Sequence, residues 1–113
     1  MKLVIAIIRP YKLEDVKKEL YKADVNLITV TPVLGHGKQK GVTEFYRGVK
    51  ESGNLMRKVQ LEIAVNEDFV EPTVKAIVRG ARTGNIGDGK IFVVDLPRVI
   101  RIRTGEEGRE AIG

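Results

Sequence analysis

The sequence predicts an α+β domain of ferredoxin-like type: βαββαβ, an antiparallel sheet with both helices on one face. Three observations predict it. Apolar runs of strand length and amphipathic stretches of helix length follow in the order strand, helix, strand, strand, helix, strand. The two halves resemble each other, each an apolar strand, an acidic-started helix and another strand. A chain of 113 residues, 42% hydrophobic and 31% charged, has the size and composition of one ordinary globular domain.

Residues 3–8 form a short apolar run ended by Arg9-Pro10, which reads as a buried strand. Residues 12–23 read as an amphipathic helix. Leu13, Val16 and Leu20 share a face, Glu14 and Asp15 sit in the first turn, and Lys17, Lys18 and Lys22 come later, as the helix dipole prefers. Residues 27–34 are rich in β-branched side chains and make a second strand. Residues 58–65 alternate Val59, Leu61, Ile63 and Val65 on one face and make a third. A second helix follows over residues 68–79, with Val70, Val74, Ile77 and Val78 inward. Asp68 and Glu71 suit its first turn, Pro72 is tolerable only that early, and Gly80 is its expected stop. Residues 91–95 are the fourth strand. Residues 99–103 add a short extended piece, and a charged tail over residues 104–113 ends a single domain spanning 1–113. Both faces of the strands are apolar, so the face away from the helices is expected to be covered in an oligomer.

Residues 35–56 fit no element. They carry five glycines (35, 37, 41, 48, 53) and charge throughout, without periodicity. A connection of this length inside a compact domain is usually functional, and it reads as a long mobile arm between two strands.

Composition narrows the chemistry. The net charge of +5 favours an anionic partner. There is no cysteine, which excludes disulfides, thiolate metal sites and a cysteine nucleophile, and fits a cytoplasmic protein. No apolar run approaches the roughly 20 residues of a membrane span, and the first residues read as a strand rather than a signal peptide. His36 is the only histidine and no carboxylate pair stands out, so enzyme chemistry is poorly supplied. The rival is a ferredoxin-like RNA-binding module. Against it, only three Phe and three Tyr are present, and none forms a base-stacking strand signature.

Three constellations can meet an anion. Thr83-Gly84-Asn85-Ile86-Gly87-Asp88-Gly89-Lys90 superficially matches a Walker A loop, but Ile91 follows instead of Ser or Thr and opens a strand instead of a helix. The loop can still converge backbone N–H groups on phosphate beside Lys90; a plain helix-to-strand turn is the alternative. In an extended Arg98-Val99-Ile100-Arg101-Ile102-Arg103, Arg101 and Arg103 point the same way, roughly 6–7 Å apart, and suit neighbouring phosphates; a solvated basic edge is the alternative. Gly35-His36-Gly37-Lys38-Gln39-Lys40-Gly41, where the arm leaves the sheet, is a third glycine-rich basic turn.

Thr83-Gly84-Asn85-Ile86-Gly87-Asp88-Gly89-Lys90-Ile91-Phe92 resembles the C-terminal signature of the PII nitrogen-signalling proteins. So do Arg101-Ile102-Arg103-Thr104-Gly105-Glu106-Glu107, Ile7-Ile8-Arg9-Pro10, the spacing of Gly35, Gly37, Gln39 and Gly41, and Thr43-Glu44 with Tyr46-Arg47-Gly48. The resemblance runs over nearly the whole chain. It implies a ferredoxin-like homotrimer and a non-enzymatic regulator that binds ATP or ADP between subunits and 2-oxoglutarate beside ATP through magnesium. Such proteins move the long loop against targets, notably ammonium transporters, so the chain would be cytoplasmic and reversibly membrane-associated, with other nitrogen-metabolism enzymes as further partners and no nucleic acid. Carried over, Gly87, Asp88, Gly89 and Lys90 would hold phosphates, and Arg101 and Arg103 would reach them from the next subunit. Thr29, Gly37, Lys38, Gln39, Ala64 and Thr83 would complete the nucleotide pocket. Gln39 would ligate magnesium, Lys58 would pair with the oxoglutarate carboxylate, and Tyr46, Arg47 and Gly48 would meet the target. Lys38 and His36 depart from the Arg and Phe common there. Glu51 stands at the modifiable-tyrosine position and Val49 where some relatives carry a phosphorylated Ser, so no covalent modification is expected.

Overall fold

The computed structural model describes residues 1–36 and 55–113. They form β1 (Lys2–Ile8), a 3₁₀ turn (Pro10–Lys12), α1 (Leu13–Lys22), β2 (Thr29–His36), β3 (Leu55–Val65), a second 3₁₀ turn (Glu67–Phe69), α2 (Val70–Ala81), β4 (Lys90–Asp95) and α3 (Arg109–Ile112). All strand pairs are antiparallel, in the order β2-β3-β1-β4. This is the expected ferredoxin-like arrangement.

The core follows from the two periodicities. Every second residue of β1 (Val4, Ala6, Ile8) and of β3 (Leu61, Ile63, Val65) is buried. Against them α1 buries Val16 and Leu20, and α2 buries Val70, Ala76, Ile77 and Ala81. Each Val, Leu or Ile so covered contributes on the order of 1.5–3 kcal/mol. The register puts Val4 opposite Ile63 on one side and Val93 on the other. Leu3, Ile5 and Ile7 therefore share the opposite, helix-free face with Phe92 and Val94, which are 47% and 45% exposed.

Element ends differ from the sequence reading for identifiable reasons. Helix α1 stops without a glycine. Asp24 takes the left-handed conformation (φ 62°), Val25 N donates to Leu20 O at 2.9 Å, and Asp24 N donates to Tyr21 O at 3.0 Å. This is the Schellman arrangement, with the buried Val25 as its apolar partner. Gly80 does not stop α2. It lies inside the helix where α1 crosses: a Cβ there would come within 2.6 Å of Val16 Cα, so only glycine permits the approach. The arm is shorter at its root than expected, because Gly35, His36, Leu55 and Met56 belong to β2 and β3, with His36 opposite Leu55.

The extended reading of residues 99–103 is overturned. Ile100 makes one isolated bridge to Glu107. Arg101 N donates to Glu106 O at 2.8 Å and Gly105 N to Arg101 O at 2.7 Å, so the chain folds back on itself. With no neighbouring strand to pair among the described residues, its backbone groups are met locally, and the alternation argument that aligned Arg101 with Arg103 does not hold. No helix among the described residues is long and apolar enough to cross a membrane.

Candidate functional site

The loop from α2 to β4 is organised around one carboxylate. Asp88 accepts hydrogen bonds from Thr83 N (2.8 Å), from Gly84 N (2.8 Å) and from the Thr83 hydroxyl. Arg9 Nε donates to it at 3.1 Å from the end of β1. These donors, Thr83 foremost, hold its carboxyl well below the usual carboxylate range. Asp88 is thus an internal anion about which the loop closes. Gly89 next to it (φ 106°) passes over β1 so closely that a Cβ would fall 1.7 Å from Ile7 O. The loop is seated on β1 by a contact no other residue permits.

Two cations meet the loop from below. Arg9 Nη2 donates to Ile86 O at 2.7 Å, and Lys58 Nζ donates to Gly87 O at 2.8 Å. Partial burial lowers the Lys58 pKa, repulsion from Arg9 adds to this, and Asp88 opposes it. Arg9 lies in the quoted Ile-Ile-Arg-Pro run, yet sequence reasoning assigned it no task. The available signal was a charged residue closing a buried strand directly before proline.

Beside the loop lies a cavity of about 540 Å³ lined by Ile7, Gly35, Met56, Lys58, Gly87 and Lys90. Lys90 is exposed at the start of β4. The sequence-derived candidates Gly87, Asp88, Gly89, Lys90 and Lys58 therefore come together, with Thr83 bound to Asp88. Gly37, Lys38, Gln39, Tyr46, Arg47, Gly48 and Glu51 lie outside the described residues.

Thr29 and Ala64 are not at this cavity. Thr29 opens β2 opposite Glu62, and Ala64 is near the end of β3. Six residues of strand separate Ala64 from Lys58, about 20 Å. The carboxyl-terminal hook lies at Ala64's end of the sheet. Asn66 donates to Arg109 O, Arg109 pairs with Asp68, and Ile112 and Gly113 line a smaller cavity of about 190 Å³ with Ala64. Arg101 is drawn into the hook by Glu106 (2.9 Å) and Glu110 O (2.7 Å), while Arg103 is exposed on its turn. One chain thus carries two half-sets at opposite ends of its sheet: the glycine loop with two lysines, and Thr29 with Ala64 beside an arginine-bearing hook. No cluster of acidic or histidine side chains suited to a metal occurs among the described residues.

A family profile described as nitrogen regulatory protein P-II matches residues 1–106. Nitrogen regulatory protein GlnK1 of Methanosarcina mazei is 54% identical over 114 residues, covering 99% of this chain and 97% of that protein. Nitrogen regulatory protein P-II of Klebsiella oxytoca and P-II 1 of Escherichia coli are each 53% identical over 112 residues, covering 99% of this chain and the whole of each relative at 100%.

Proposed function

This chain belongs to the P-II family of nitrogen regulatory proteins, signalling proteins rather than enzymes, and from that premise we infer that it reports carbon, nitrogen and energy status through bound ligands. It binds ATP or ADP, takes 2-oxoglutarate beside ATP, and regulates targets such as an ammonium transporter through residues 35–56.

The observation that carries this reading is the division of the candidate residues. The glycine loop with Lys58 and Lys90 borders a basic cavity of about 540 Å³, a cradle roomy enough for more than a single phosphate. Thr29, Ala64, Arg101 and Arg103 belong to the other end of the sheet and cannot close that cradle in the same chain. Copies of the chain meeting end to end would bring the half-sets together, so a nucleotide would sit between subunits of a homotrimer. The apolar helix-free face gives such copies a reason to associate.

Within the cradle, backbone N–H groups and Lys90 meet phosphate oxygens by charge-assisted bonds, and Lys58 offers its ammonium to the carboxylate of 2-oxoglutarate. Asp88 shapes the loop, since its oxygens are already engaged by Thr83, Gly84 and Arg9. Magnesium enters with the nucleotide. Gln39, the proposed protein ligand, lies outside the described residues, so no geometry is derived for it. Arg47 would occupy the pore mouth of a transporter as a guanidinium on a slender segment, placing the protein in the cytoplasm and reversibly at the membrane. Glu51 has no hydroxyl to modify, so release is driven by ligands alone.

Titration calorimetry with ATP, with and without magnesium and 2-oxoglutarate, tests the ligand reading. Lys90→Ala is expected to weaken ATP roughly tenfold or more, the equivalent of one charge-assisted hydrogen bond. Unchanged ATP affinity in that variant would remove the phosphate loop. A pull-down against the transporter of the same cell tests the target: Arg47→Ala blocking as well as the parent in every ligand state sinks the pore-plug mechanism.

A further inference from the structure

Every peptide in the loop is trans. In a planar trans peptide the C=O and the following N–H point in opposite directions. Turning one carbonyl inward therefore turns the next N–H outward. The loop has two such carbonyls, Ile86 O on Arg9 Nη2 at 2.7 Å and Gly87 O on Lys58 Nζ at 2.8 Å. Their partners across the peptide are the N–H groups of Gly87 and Asp88. We propose that Arg9 is the positioning residue of the anion-binding loop: it pins Ile86 O and the Asp88 carboxylate from below, and by turning the Ile86 carbonyl away from the cavity it aims the Gly87 N–H at phosphate. This rests on the nucleotide reading above and adds the residue that orients its donors.

Three features make Arg9 the part that does this. Its side chain is only 13% exposed and lies beneath the loop, where a Cβ on Gly87 would come within 3.0 Å of Nη2. It is a floor to the loop and is not among the residues lining the cavity beside it. Its two contacts, Nε to Asp88 and Nη2 to Ile86 O, use the rigid fork of a guanidinium, which a lysine ammonium cannot reproduce. Its backbone is fixed on both sides, by the β1 ladder up to Ile8 and by the turn that Pro10 begins, closed by Lys12 N to Arg9 O at 3.0 Å. A cation on a carbonyl also polarises the peptide, which strengthens the outward N–H as a donor.

The test compares Arg9→Lys and Arg9→Met with the parent, all full length. Calorimetry measures ATP and adenosine binding, and ¹H–¹⁵N spectra of the ligand-free proteins follow the amides of Gly84, Gly87 and Asp88. Both variants are expected to lose ATP affinity by about tenfold or more. Adenosine, which presents no phosphate, is expected to bind as it does to the parent. The loop amides should shift or broaden while those of Val4 and Ile63 in the core stay in place. Parental ATP affinity in Arg9→Lys would show that charge alone matters and overturn the proposal. So would equal losses of ATP and adenosine, which indicate general damage, or unmoved loop amides in both variants. If the parent itself takes up no ATP, the nucleotide reading fails separately, and the amide spectra still decide whether Arg9 orients the loop.

Discussion

Asp88 had a phosphate-holding role by resemblance, yet its carboxylate is turned inward onto Thr83, Gly84 and Arg9. The residue type was legible in the sequence; the direction of its side chain was not, because its charged partner is 79 positions away. The internal anion gives a pH dependence with a defined sign. Its folded pKa is depressed, so the stability it contributes is fully present above its unfolded pKa, about 4, and is lost as pH falls through the lower folded value. Asp88→Asn should be less stable than the parent at neutral pH, and the gap should narrow as pH drops below about 4. Denaturant melts across that range measure it; a gap independent of pH would mean the ionised carboxylate contributes nothing. Lys90 is exposed at the start of β4.

At the scale of elements, all four strands and both long helices were legible from periodicity, because burial of Leu61, Ile63, Val16 and Leu20 obeys the periods of strand and helix. The misreadings were local conformations that tertiary contacts decide. Gly80 reads as a stop in any single sequence; only the crossing of α1 shows that it is a close-approach residue. Gly80→Ala puts a methyl against the backbone of Val16, so the overpacking cost of about 1–3 kcal/mol exceeds the gain of up to about 1 kcal/mol in helix propensity. The expected result is a lower denaturant midpoint. A variant at least as stable as the parent would show that α1 and α2 part freely. The carboxyl-terminal hook was misread for a related reason: Arg98 pairs with Glu107 and Arg101 with Glu106, and alternation says nothing of bonds that fold a segment onto itself.

For the whole molecule, the apolar helix-free face and the separated half-sets make one argument. A single copy leaves Phe92 and Val94 exposed and its Thr29 end about 20 Å from its own cradle. Assembly would cover the first and complete the second. A Val94→Glu variant, which leaves the lining of the cradle untouched, should therefore lose assembly by light scattering and nucleotide affinity together, and ATP should stabilise the assembled parent by mass action. Full ATP affinity in a monomeric variant would separate the two and return the whole site to one chain. The two-faced apolar character of the strands was readable in sequence. The resemblance already gave Arg101 and Arg103 to the next subunit; that Thr29 and Ala64 lie at their end of the sheet was not readable, since it depends on which end of a strand each residue occupies.

The pairing of His36 with Leu55 has a consequence for how such a chain can change over time. The segment between them joins the two strand ends of a single rung, so its length is bracketed by one cross-strand pair. Doubling the length of a chain closure costs only about 0.6 kcal/mol, and the core side chains among the described residues all lie outside it. On the ligand reading above, the stretch beyond Gly37, Lys38 and Gln39 and short of Leu55 would act as an exchangeable cassette: substitutions or insertions there would alter what the molecule addresses without rewriting the sheet, the crossing helices, the glycine loop or the residues assigned to the ligand.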